Sequence, residues 1–152
     1  MPHMRQRIRE ATKIALLGTS FAGDDVYVGR VRPLPKGSRD ILIYTRSETG
    51  RRESNAWPPV QERRCKLLIE LRAATAGEPD DTLSDAQTEV EAKIRALFTL
   101  GPSRIMGGLL RQLEYVGCEE VVEAGGERHL GGLQLEYAAT YRVTEGSPTE
   151  PV

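Results

Sequence analysis

Between Met4 and Leu17 the apolar positions Met4, Ile8, Ala11 and Ala15 recur at steps of four, three and four, while the arginines fall largely on the other side. That is the stripe of an amphipathic helix, and Gly18 is placed to end it. The period then changes. Residues 25–32, "DVYVGRVR", carry Val26, Tyr27 and Val28 and predict a strand. "PLPKGSRD" breaks it, because Pro33 and Pro35 cannot donate to a ladder. In "DILIYTR", residues 40–46, Ile41, Ile43 and Thr45 share one face and Leu42 and Tyr44 the other. Apolar side chains on both faces predict a central strand covered on both sides. In residues 63–75, Cys65, Leu67, Ile69, Leu71 and Ala73 alternate with Arg64, Lys66, Leu68, Glu70 and Arg72, the pattern of a half-buried strand with one wet face.

The second half repeats these periods. "AGEPDD", residues 76–81, predicts a turn, and Asp81 or Thr82 is placed to cap a helix running to about Phe98. Its stripe is Leu83, Ala86, Val90, Ile94 and Leu97, with acids in the early turns, where the helix dipole favours them. "GPS" at 101–103 closes it. Residues 109–118 alternate less cleanly, and residues 130–143 alternate well, with a hairpin signal at Gly125–Gly126 between them. Sequential strands joined by turns favour antiparallel pairing. The fold class is therefore α+β: a mainly antiparallel mixed sheet of about five strands, two helices packed on it, and a long protruding hairpin or loop arm. Residues 1–143 are expected to form one domain with the arm at 47–62, and residues 144–152 a disordered tail.

The arm is the anomaly in this pattern. "SETGRRESNAWPPVQER", residues 47–63, separates two clear strands and holds the only tryptophan, Trp57. Most connections are far shorter, and long ones are usually functional or disordered.

Composition narrows the class. Hydrophobic residues at 39% and charged residues at 28% fit a globular protein with a modest core. No apolar run approaches the roughly 18 residues of a membrane span, and the N-terminal stretch has no apolar signal core, so an intracellular protein without a membrane partner is expected. The net charge of −1 conceals an asymmetry: residues 1–72 hold 15 Lys/Arg and 8 Asp/Glu, residues 73–152 hold 6 and 14. Internal pairing of the halves is the simpler reading, and head-to-tail contact between oppositely charged surfaces of two copies is the other.

Chemistry is scarce. There is no GxSxG, phosphate-loop, HExxH or dinucleotide-binding pattern. Cys65 and Cys118 lie in apparent strands, where cysteine serves as a small core residue, and with His3 and His129 they have no zinc spacing. The consecutive pairs Asp80–Asp81 and Glu119–Glu120 suit a helix cap and a solvated turn better than acid–base work. No catalytic residue, cofactor or metal is expected. Residues 30–72 carry eleven Lys/Arg against five acids, but aromatic residues are few and the whole chain is slightly acidic, unlike most specific nucleic-acid domains.

The pieces "RQRIREATKIALL", "AGDDVYVGRVRPLP", "DILIYTRSE", "RRCKLLIEL", "DDTLSDAQTEVEAKIRALF" and "LGGLQLEYAATYRV", in this order over residues 5–143, resemble the tail terminator proteins of long-tailed bacteriophages, the minor tail protein U family. The resemblance implies a structural virion protein, assembled in the bacterial cytoplasm as a homo-hexameric ring on the finished tail tube. It would stop polymerisation of the major tail protein and present a surface to the head–tail connector, with DNA only as passing cargo and no catalysis or cofactor. Another head–tail completion or neck protein, or a basic-surfaced nucleic-acid binder, are the alternatives.

Under this reading the arm meets another subunit. Trp57 is its rigid apolar anchor, Pro58 and Pro59 limit the entropy lost on docking, and Arg51 and Arg52 meet acids of a neighbour, such as those in residues 78–91. The alternative is a mobile surface insertion with Trp57 packed on its own domain. Arg64, Lys66 and Arg72 are expected on one basic strand face, turned either to the DNA channel or to other subunits.

Overall fold

The structure is a computed structural model that describes residues 2–29, 34–35, 37–74, 80–98, 104–125 and 128–152; within the strands, side chains are described up to 120 and again from 131. The elements in chain order are α1 (Met4–Leu16), β1 (Val26–Val28), β2 (Arg39–Arg52), β3 (Val60–Ala73), α2 (Asp80–Arg95), β4 (Gln112–Gly125) and β5 (Arg128–Thr144). One five-stranded sheet has the order β1-β2-β3-β5-β4. All pairs are antiparallel except β1 with β2. The fold is α+β with a mixed sheet and two helices.

Both helices pack on one face of the sheet. Met4 and Ile8 of α1 and Leu83, Ala86, Val90 and Ile94 of α2 join Ile41, Ile43, Leu67, Ile69, Leu71, Leu135, Ala139 and Tyr141 in one core. The helical stripes expected from the sequence are thus the buried ones, apart from Ala11, Ala15 and Leu97, which are partly buried. The start of α1 is fixed by a reciprocal cap: His3 Nδ1 accepts from the Arg5 N–H at 3.1 Å, and Gln6 Oε1 accepts from the His3 N–H at 2.9 Å.

The other face begins apolar and ends wet. Leu42, Leu68 and Tyr44 are buried there, while Arg46, Arg64, Lys66 and Glu114 are exposed. Leu34, in the connection between β1 and β2, is also buried. This agrees with β2 being covered on both sides over Ile41–Tyr44.

Four expectations are corrected. First, β1 is only three residues long and lies parallel to β2. Just before β2, the Gly37 N–H bonds to Ala74 O at 2.6 Å. Second, of the hairpin or loop expected at residues 47–62, the structure has the hairpin and not the loop. β2 continues to Arg52, β3 begins at Val60, and their ladder runs to Arg52↔Gln61, leaving Glu53–Pro59 as the connection. The strands extend with charges paired across the ladder, as with Arg51 and Glu62, and with β5 alongside β3; a search for apolar alternation misses such strands. Third, β4 takes in "EEVVEAG", so Glu119 and Glu120 stand on a strand rather than in a turn. Fourth, residues 144–152, expected to be disordered, turn back on the domain: the Met4 N–H bonds to Pro148 O, the Val152 N–H to Arg142 O, and Arg7 Nη1 to Thr149 O. The turn at 76–79, the "GPS" stop, Pro33 and Gly126 lie outside the described residues; β4 and β5 pair as far as Gly125↔Arg128 on either side of that hairpin.

Candidate assembly interface

Charge pairing explains how a polar hairpin stays in register. Arg51 sits opposite Glu62 and its guanidinium lies 3.3 Å from the carboxylate. Arg52 reaches Glu145 at 2.8 Å, and Arg142 of β5 binds Glu53. Arg63 and Arg5 flank Glu48 at 3.7 and 3.9 Å. β5 runs beside β3 from Ala73↔Gly131 to Val60↔Thr144, so the hairpin is braced along one side to its last paired residue.

At the tip, the Glu53 N–H bonds to Val60 O at 2.8 Å and closes the connection. Pro59 is buried, and its carbonyl accepts the Glu145 N–H at 2.8 Å. Pro58 is exposed. Trp57 is 91% exposed, far more than any other large apolar side chain among the described residues. It does not pack on its own domain. Arg51 and Arg52, expected to meet a neighbour's acids, are placed against acids of their own chain. Such exposed pairs are worth about 0–1 kcal/mol each, too little to prevent exchange for an intersubunit partner.

The basic strand splits in two. Arg64 and Lys66 stand on the wet face, 3.8 Å from Glu114 and 3.9 Å from Glu136. Arg72 does not stand with them as a surface charge. It is 8% exposed and forks onto Asp40, with Nε to Oδ1 at 2.8 Å and Nη2 to Oδ2 at 2.6 Å. Alternation put all three on one face correctly. It could not show that the Arg72 end of that face is covered. Beside this pair the Tyr44 hydroxyl accepts from Gln134 Nε2 at 2.6 Å and donates to Glu70 at 3.3 Å. Burial pushes the Tyr44 hydroxyl pKa up, and the Glu70 charge adds to the rise.

Of the two cysteines, Cys65 is buried and Cys118 is half-buried. Cys65 is buried among core residues, and desolvation pushes its thiol up to about 11. Among the described residues no group of His, Cys, Asp and Glu side chains comes together to hold a metal ion, and no helix is long and apolar enough to cross a membrane. The chain matches no family model and no curated protein.

Sequence reasoning missed the sheet's two edges. Tyr115 and Val116 of β4 are 46% and 53% exposed, and Val28, at the end of β1, is 36% exposed. Tyr115 makes an edge contact with the Tyr137 ring at 5.6 Å, and Val116 is the extra residue of a bulge between Tyr115 and Gly117. The uneven alternation over 109–118 is the sequence trace of that bulge, which shifts the inward parity by one.

Proposed function

We propose that this protein is a structural ring-former that ends a phage or prophage tail tube, as the resemblance of residues 5–143 to the minor tail protein U family implies. The observation that carries the reading is Trp57: a bulky apolar side chain, 91% exposed, at the tip of a hairpin braced by β5. A monomer gains nothing from holding a tryptophan in water, whereas aromatic anchors of this kind are enriched where protein surfaces meet. Copies docking side by side make the homo-hexameric ring, whose faces meet the tube protein and the head–tail connector. The protein is not an enzyme and needs no cofactor. It resides in the virion tail after assembly in the bacterial cytoplasm.

The nucleic-acid reading is the weaker one. Arg64 and Lys66 each face a glutamate, and Arg72 is spent on Asp40, so the strand offers DNA a mixed wall rather than a positive stripe. DNA passing along such a wall as cargo is compatible with the ring.

The test is tube growth. Added to the polymerising major tail protein, the chain is expected to arrest elongation and to appear as a ring on one tube end in negative-stain images. Tubes that grow to unchanged length with bare ends contradict the proposal.

A further inference from the structure

The two free edges of the sheet, the Arg46–Arg52 length of β2 and the strand β4, differ in charge. Among the described residues, β1 covers β2 over Ile41–Ile43. From Arg46 to Arg52, no strand lies on the outer side of β2 among the described residues. This length holds Arg46, Arg51 and Arg52 against Glu48, and α1 adds Arg5 and Arg9 beside it. A depression of about 600 Å³ opens at the point where β1 stops, lined by His3, Arg5, Arg9 and Val28 among others. At the far side of the sheet, β4 has no outer neighbour among the described residues. Its length Gln112–Glu120 holds Glu114, Glu119 and Glu120 and no basic residue, and it exposes Tyr115 and Val116.

We infer that the ring is closed by sheet continuation: β4 of one copy adds, antiparallel, to the Arg46-containing edge of β2 in a second copy. The inference rests on the ring-former reading above and names the junction.

Direction follows from topology. β2 and β5 run one way and β3 and β4 the other, so a second copy in the same orientation presents β2 antiparallel to β4. Register follows from the rows of the sheet. Arg46, Lys66, Ala138 and Glu114 are paired in one row across β2, β3, β5 and β4. Continuing that row at the same level sets Glu114 of one copy beside Arg46 of the next. An opposite-charge pair directly across strands is favourable, and a like pair is not. Acidic edge on acidic edge and basic edge on basic edge are both disfavoured, which selects head-to-tail contact over a two-fold dimer.

The bulge at Val116 also fits. Beyond it β4 meets the level where β1 occupies the neighbour's edge, and a bulge bends the strand at that point. Tyr115 and Val116 arrive there beside the depression that exposes Val28.

Arg46 of β2 and Val116 and Glu119 of β4 line one cavity of about 450 Å³ together with Gln134 and Glu136, although two strands lie between them. The wet face therefore carries a depression between side chains of β2 and β4. In the inferred ring that face turns inward, with Arg64 and Lys66 on the channel wall and both helices outside.

Cross-linking tests the junction. In a Cys118→Ser background, where the remaining cysteine is the buried Cys65, Arg46→Cys and Glu114→Cys are placed in separate chains and mixed. Directly opposed strand residues lie within disulfide reach. The mixture is expected to give a disulfide-linked dimer on oxidation, each variant alone none, and the double variant a ladder up to the full ring. In parallel, Arg46→Glu and Glu114→Arg each reduce assembly at least tenfold, and the double swap restores it. Rings without the Arg46–Glu114 cross-link overturn this junction and leave the ring-former reading standing. A cross-link of either variant with itself overturns the head-to-tail arrangement. Absence of assembly by the unsubstituted protein, alone and on tail tubes, overturns both readings.

Discussion

Arg72 and Lys66 alternate on the same strand face, yet one is buried against Asp40 and the other exposed beside Glu136. Alternation fixes the face of a residue; it does not fix what lies over that face. That is why the inward positions of the core strands were legible in sequence and the role of Arg72 was not. Trp57 was legible as an oddity because a lone tryptophan among charges has no core to join. His3 was not, since a histidine cap carries no signal comparable to Ser, Thr, Asp or Asn. Burial holds the His3 pKa below the ordinary histidine range, Glu48 opposes this, and Arg5, Arg63 and Arg9 reinforce it. The folded state thus binds a proton less readily than the unfolded chain. The cap's contribution is present in full above about pH 6.5 and is lost as pH falls through the lower folded value. A protonated ring would also oppose the positive helix terminus. The protection of the Arg5 and Gln6 amides against exchange, taken relative to the intrinsic rate at each pH, should fall on acidification. His3→Asn, which keeps an acceptor, should remove that dependence, while His3→Ala should cost about 1 kcal/mol at neutral pH. An unchanged pH profile in His3→Asn would rule out this account of the cap.

At the scale of elements, the strands with apolar alternation were found at nearly their true places, and the polar extensions were not. Residues 47–52 and 60–62 are strand because Arg51 meets Glu62, Arg52 meets Glu145 and β5 lies alongside. These are long-range conditions that no local window contains. The same limit hid β1's parallel pairing and the identity of the sheet's edges, which depend on strand order. The connection Glu53–Pro59 is then the part of the hairpin available for docking. Replacing Ser54–Pro58 by Asn-Gly keeps the buried Pro59 and the ladder, and should change monomer stability by less than about 1 kcal/mol, as for exposed sites generally. The same change, or Trp57→Ala, should weaken self-association by tenfold or more, the scale of a hot-spot residue. Sedimentation velocity reads both effects, and association at unchanged concentration would remove the tip from the interface.

Across the whole molecule, the excess of basic residues in 1–72 and of acidic residues in 73–152 is partly consumed inside the fold. Arg64 with Glu114 and Arg52 with Glu145 join the two halves within one chain. What remains is distributed by strand order: the basic strand β2 and the acidic strand β4 stand towards opposite sides of one sheet, and the tryptophan stands at one end. A lone subunit leaves all three in water, and a closed ring has a place for each. The most direct measurement is native mass spectrometry of the unsubstituted protein over a range of concentrations, with and without tail tubes. The account predicts one dominant closed species whose mass is a whole multiple, sixfold by the family resemblance, of the 16.8 kDa chain. A monomer at every concentration, on tubes and off them, would contradict it.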